Sequence, residues 1–102
     1  GDHGGNMDSN VITKGVTVWL PVRVQGGMLC IGDLHASMAD GEMCGTGIEI
    51  SGEVVVRVRL LKNFKLNWPV TETDKEYFVN TNKLPAEAPK PSDLINLFLN
   101  GI

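Results

Sequence analysis

The chain has 102 residues, 12 acids against 9 Lys plus Arg, a formal net charge of −3 and a pI near 5.2. That length suits one compact domain, and 42% hydrophobic with 21% charged residues excludes wholesale disorder. An acidic balance argues against a nucleic-acid binder, no apolar run approaches the ~20 residues that span a bilayer, and no secretory leader pattern is visible. Two cysteines, Cys30 and Cys44, are too few for a disulfide scaffold. The expectation is a soluble, cytoplasmic domain that binds neither nucleic acid nor membrane.

Residues 1–9, GDHGGNMDS, have no period and predict a loop. In VTVWLPVRV, Val16, Val18, Leu20, Val22 and Val24 alternate with polar or bulky neighbours, which predicts a half-buried strand. Pro21 cannot donate to a ladder, so that strand lies at an edge or is bulged there. Gln25-Gly26-Gly27 predicts a turn, and MLCIGDLHA the returning strand of a hairpin. Residues 36–47 predict a second loop, 47–50 an extended segment and Ser51-Gly52 a turn. The most regular alternation follows at 54–61, where Val54, Val56, Val58 and Leu60 share one face and Arg57 and Arg59 lie on the other, expected solvated, face. A short last strand is expected at 76–79.

The fold class expected is mainly β (α+β): antiparallel strands and hairpins in a sheet or sandwich, with one short C-terminal helix. Residues 1–79 form the β-rich segment carrying the loops. Residues 80–102 supply a Pro-containing linker, then a helix over 93–99 capped by Ser92 and too apolar to stand undocked.

Eleven of the 12 glycines lie in residues 1–52, a half carrying six acids against Lys14 and Arg23. Glycine permits backbone that a Cβ forbids, and crowded acids are costly without a compensating cation or solvent. The pattern fits loops shaped around something positive, or solvated turns between strands. Three clusters stand out: His3 with Asn6 and Asp8, Asp33 with His35, and Asp40 with Glu42. Residues two apart in a strand share a side, so Asp33 and His35 can reach one divalent ion, although Asp-x-His also fits a polar strand end whose imidazole bonds locally. Asp40-Gly41-Glu42 reads as a turn, and a carboxylate there can also move a proton beside a metal-bound water. Cys30 is expected in the core. Cys44 is expected to pack rather than to act as a nucleophile, and Trp19, Trp68, Met28 and Met43 are expected to pack too.

HGGNMD (3–8), GVTVWLPVRVQGG (15–27) and GDLHASMADGEMCGTGIE (32–49) together resemble the acetamidase/formamidase family, whose pattern runs HGGN-x-D, then PV-x-V-x-G, then GD-x-H-x-x-x-GDGE and GxxIE. The resemblance implies a metal-dependent hydrolase that converts short linear amides such as formamide and acetamide to ammonia and carboxylate, with a β-rich fold and assembly into homo-oligomers. Carried onto this sequence, the pattern offers Asp33, His35 and Asp8 as metal ligands. It offers Glu42, Asn6 and Asp40 as catalytic groups and His3 as a further residue of the site loop. The expected cofactor is a divalent metal, zinc, with calcium as the alternative for so acidic a set. Ala39 stands where the family has glycine, which would strain the loop if that position needs a positive φ. Family members carry a large portion before HGGN, so a C-terminal part of such an enzyme is expected, with that portion as its partner. The alternative is a non-catalytic β module acting by association, or one holding a structural metal.

Overall fold

The computed structural model describes residues 2–79. Five short strands form: β1 (Thr17–Trp19), β2 (His35–Ser37), β3 (Ile48–Glu49), β4 (Val70–Glu72) and β5 (Tyr77–Val79). They make two antiparallel sheets, a three-stranded one in the order β1-β4-β5 and a pair β2-β3. The mainly β, antiparallel class expected from the sequence holds. The linker and helix expected beyond residue 79 lie outside the described residues.

The three-stranded sheet is built on β4, which sequence periodicity did not single out. Trp19 lies opposite Val70, and Glu72 lies opposite both Thr17 and Tyr77. Strand alternation therefore puts Trp19, Val70, Glu72 and Tyr77 on one face and Val18, Thr71 and Phe78 on the other. On the first face the Trp19 indole N–H donates to Glu72 Oε2 at 2.8 Å, and the Tyr77 hydroxyl donates to Oε1 at 3.2 Å. That hydrogen bond, with the carboxylate's charge, pushes the Tyr77 phenol above its ordinary range. The rings of Trp19 and Phe64 lie 5.9 Å apart, a tilted aromatic pair. Pro69, Val70 (5% exposed) and Thr71 (0%) are the buried centre. The β4–β5 turn is closed by Thr73, whose hydroxyl accepts from the amides of Lys75 and Glu76.

β1 sits at a sheet edge and stops before Pro21, as a residue without an N–H requires. The expected strand over 16–24 is thus shortened to three residues, and its partner is β4 rather than 28–36. The turn at Gly26-Gly27 does form, with the Gly27 amide donating to the Val24 carbonyl at 3.2 Å. The segment after it is strand only from His35. Residues 54–61 run without ladder pairing among the described residues, although their alternation is the strongest in the chain. Alternation selects a conformation, but a strand also needs a neighbouring backbone to satisfy its N–H and C=O groups. The same exposure corrects the packing expectations: Cys30, Cys44, Met28 and Met43 are all exposed.

The N-terminal loop is tied to the three-stranded sheet. Arg23 pairs with Asp2 at 3.2 Å and donates to the Asn67 carbonyl at 2.7 Å. Gly4, at φ 103°, runs so close to Leu20 that a Cβ there would lie 2.6 Å from Leu20 Cδ2. The positive φ is what calls for glycine here, since the Leu20 methyl can shift aside.

Candidate functional site

Among the described residues, five non-glycine residues have positive φ: Asn6 (55°), Asp8 (47°), Asp33 (60°), Glu42 (42°) and Asn63 (63°). Four of them are residues that the motif pattern singled out. Asn and Asp enter this region most readily, Glu rarely, and each such residue costs on the order of 1–3 kcal/mol. Backbone strain is therefore concentrated where carboxylates are brought together.

The loops are drawn in by backbone bonds. The Gly41 amide donates to the Asp8 carbonyl at 2.7 Å, the Asn10 amide donates to Asp40 Oδ1 at 2.8 Å, and the Glu42 amide donates to the Ala39 carbonyl at 3.0 Å. These bonds lay the tight turn Asp40–Glu42 against the N-terminal loop. Ala39 is extended at φ −89° and ψ 151°, so the replacement of the family's glycine carries no strain. Gly41 takes the left-handed position instead, at φ 75°.

Asp8, Asp33 and Glu42 each place a carboxylate oxygen within 4.8 Å of the other two, and Asp33, His35 and Glu49 form a second such group through the shared Asp33. Asp33 and His35 do converge, but not by strand periodicity. Asp33 is left-handed and precedes β2, and His35 is the first residue of that strand. Glu49 lies directly opposite His35 across β2–β3. Sequence reasoning did not place Glu49 among the candidate ligands. Its signal was the acid in GTGIE, on an extended segment able to pair with Asp-x-His.

His35 is the best-enclosed member, with a side chain 8% exposed. Its Nδ1 bonds the Asp33 carbonyl at 3.0 Å, and its Nε2 lies 3.0 Å from Glu42 Oε1. A carbonyl only accepts, so Nδ1 carries a proton. A carboxylate also only accepts, so the Nε2–Glu42 bond belongs to the imidazolium. The bond to the Asp33 carbonyl is the main reason the His35 pKa is raised; partial burial opposes it, and the charges of Asp33 and Glu42 add to it. Gly47 makes room for the ring, since a Cβ there would lie 2.6 Å from His35 Cδ2 and 2.9 Å from the Ser37 carbonyl oxygen.

The remaining expected residues are peripheral to these groups. Asn6 donates to Asp8 Oδ2 at 2.8 Å. Asp40 is exposed and belongs to neither carboxylate group among the described residues. His3 is exposed, its ring against Gly5. No helix among the described residues is long and apolar enough to cross a membrane.

A donor set of carboxylates and one imidazole, with the imidazole's Nδ1 oriented by a backbone carbonyl, suits a divalent cation of zinc type. The family model described as the acetamidase/formamidase family matches residues 1–86. The chain is 39% identical over 90 residues to a formamidase of Methylophilus methylotrophus, covering 76% of this chain and 22% of that protein. It is 42% identical over 72 residues to an acetamidase of Mycolicibacterium smegmatis, covering 69% of this chain and 18% of that one. A Schizosaccharomyces pombe relative is 45% identical over 64 residues, covering 61% of this chain and 15% of its own length. The chain thus spans less than a quarter of these relatives. No solved structure gives a significant match. With the family pattern matched through every loop that builds the carboxylate–imidazole cluster, the chain belongs to the acetamidase/formamidase family.

Proposed function

We propose that this chain carries metal-binding and proton-transfer groups of an enzyme that hydrolyses short linear amides. The observation that carries the reading is the convergence of Asp8, Asp33 and Glu42, all on left-handed backbone, with Asp33 and Glu42 against a nearly enclosed His35. Backbone strain of this kind clusters at functional sites, and here it falls on three ligand-type residues. The relatives' names supply the reaction class.

Asp33, His35 and Glu49 are the groups we assign to a divalent cation, zinc by donor type, with Asp8 as a further carboxylate. Such a cation, when bound, lowers the pKa of a coordinated water and polarises a carbonyl. Glu42 is assigned the proton transfer. In hydrolysis one water adds to the carbonyl carbon, the C–N bond breaks, and a proton must pass from the attacking water to the departing nitrogen. A carboxylate beside His35 is placed to take that proton and return it. Asn6 holds Asp8 and is assigned to orienting the substrate carbonyl, a task that an amide N–H serves by hydrogen bonding. Asp40 acts on the site through the N-terminal loop, by accepting from the Asn10 amide. His3 borders the same loop.

Association is the second reading, favoured by the exposed apolar run at 54–61. Its partner would be a second copy of the chain or the portion that the longer relatives possess.

Metal content and ammonia release from formamide and acetamide, measured together, test the proposal. The chain should bind zinc and release ammonia, and the Asp33→Ala, His35→Ala double variant should lose both. A folded wild-type chain with neither would overturn the amidase reading and leave association. Chelation separates a structural ion, such as calcium, from a catalytic one. Loss of turnover with little change in Tm supports catalysis, and a large fall in Tm supports a structural ion.

A further inference from the structure

Residues 54–61 leave apolar surface uncovered. Val54, Val56, Val58 and Leu60, spaced two apart in the chain, are each 50–70% exposed. Soluble monomers rarely show a contiguous apolar patch of this kind unless something binds it. The chain's own C-terminal sequence suits that surface in character and in reach. Residues 93–102, DLINLFLNGI, carry six large apolar side chains, Leu94, Ile95, Leu97, Phe98, Leu99 and Ile102. Their one charge, Asp93, is opposite in sign to Arg57 and Arg59, the only charges within 54–61. A segment so short and apolar gains by docking, because burial takes its side chains out of water. Residues 80–92, with Pro85, Pro89 and Pro91, tether it to β5. At the roughly 3.1 Å per residue of a proline-rich chain, this tether spans about 40 Å. The longest dimension of the structure is 38 Å, so 54–61 is within range. The family match ends at residue 86, and the apolar segment lies wholly beyond it.

We propose that residues 93–102 fold back as a strap over 54–61 and cover Val54, Val56, Val58 and Leu60 of the same chain. Val55 alternates with these residues and stays outside the strap. A short flexible tether holds its segment at an effective concentration on the order of millimolar, so the attached segment outcompetes a second copy in micromolar solution. The inference does not depend on the amidase reading. It bears on association, because the strap must leave before another polypeptide takes the same surface.

Isotope-filtered NMR on the intact chain, in a mixture of labelled and unlabelled copies, tests the strap. Nuclear Overhauser contacts between the Phe98 ring and the methyls of Val56, Val58 or Leu60 should arise within one chain. Contacts found only between chains make a second copy the occupant and overturn the strap. Absence of any contact from 93–102 to these methyls overturns it as well. Phe98→Asp gives a second readout in the full-length chain. Binding of a hydrophobic fluorescent dye should rise several-fold, while the amide resonances of β1, β4 and β5 stay in place, which separates uncovering from unfolding. A free peptide of residues 92–102, added at millimolar concentration, should reverse the rise. Dye binding equal to that of the unmodified chain would show that 93–102 covers nothing, and the strap fails.

Discussion

Residues 16–24 and 54–61 carry the same kind of alternating β-branched pattern, yet the first contains a strand, Thr17–Trp19, and the second has no ladder among the described residues. β1 finds β4 across it, with Trp19 anchored to Glu72 and stacked near Phe64. The later run has no strand beside it among the described residues, and Val55 is 99% exposed. Both sequences have the conformational preference, so the difference lies in the partner. Side-chain pattern sets which face would be buried, and burial follows only where a second backbone completes the hydrogen bonds.

Substitution by lysine should break the two regions unequally, and this is the largest effect expected. Thr71→Lys puts an unpaired charge at the fully buried centre of β4, a loss of about 3–5 kcal/mol that should leave the sheet unfolded by circular dichroism. Val55→Lys should change stability by less than about 0.5 kcal/mol in the chain alone. If Val55→Lys destabilises as strongly as Thr71→Lys, residues 54–61 are already covered, and the contrast is wrong.

A smaller loss is expected at Gly47, within the site. Gly47→Ala forces the His35 ring or the Ser37 carbonyl to move, because its Cβ would overlap both. Overpacking of this kind costs about 1–3 kcal/mol. The sharper readout is zinc affinity by titration calorimetry, which should fall because the imidazole is displaced. Gly41→Ala, whose Cβ meets nothing within 4 Å, is the control for backbone strain alone. Equal zinc affinity in the Gly47 variant and wild type would remove His35 from the proposed ligand set.

Much of this site could be read from residue types, while its geometry could not. His3, Asn6, Asp8, Asp33, His35 and Glu42 stand out because acids, glycine and histidine recur at fixed separations. That Asp33 and His35 face each other also follows from the sequence, but the reason assumed, strand periodicity, is not the operative one. A left-handed φ at Asp33 leaves no local composition signal, since Asp is common in ordinary turns too. Glu49 was hidden for a related reason: its neighbour His35 is 14 positions away in the chain, and only the β2–β3 register joins them. β4 escaped because three residues are too few to show a period, although Val70 and Thr71 form the buried centre. The strands were overextended wherever pattern was present and pairing was not.

The backbone strain at the cluster can be separated from its chemistry by comparing Glu42→Ala with Glu42→Gly. Both remove the carboxylate that meets His35 Nε2, so both lose the same interaction. Only glycine relaxes φ 42°, so the glycine variant should be more stable by about 1 kcal/mol in chemical denaturation. Equal stability would mean that the turn at 40–42 changes shape once the carboxylate is gone. The strain would then be imposed by the Glu42–His35 bond rather than by the loop.

The smallest effect expected is in pH dependence, and it distinguishes the paired site from the exposed run most directly. The His35 pKa is raised above 6.5, chiefly by the Asp33 carbonyl and further by the nearby carboxylates. A proton held more tightly in the folded chain than in the unfolded one stabilises the fold wherever both forms are protonated. In the metal-free chain that contribution is complete below about pH 6.5 and disappears as pH rises through the higher folded value. Zinc has the opposite dependence, because the imidazole must lose a proton to bind it, so affinity should climb over the same interval. Denaturant midpoints for the metal-free chain should therefore drift downward as pH rises above about 6.5, and His35→Asn should remove that part of the drift. Residues 54–61 lie outside this cluster and hold Arg57 and Arg59 as their only ionisable groups. A drift that persists undiminished in His35→Asn would place its origin outside the cluster and deny His35 the raised pKa that follows from its bonds to Asp33 and Glu42.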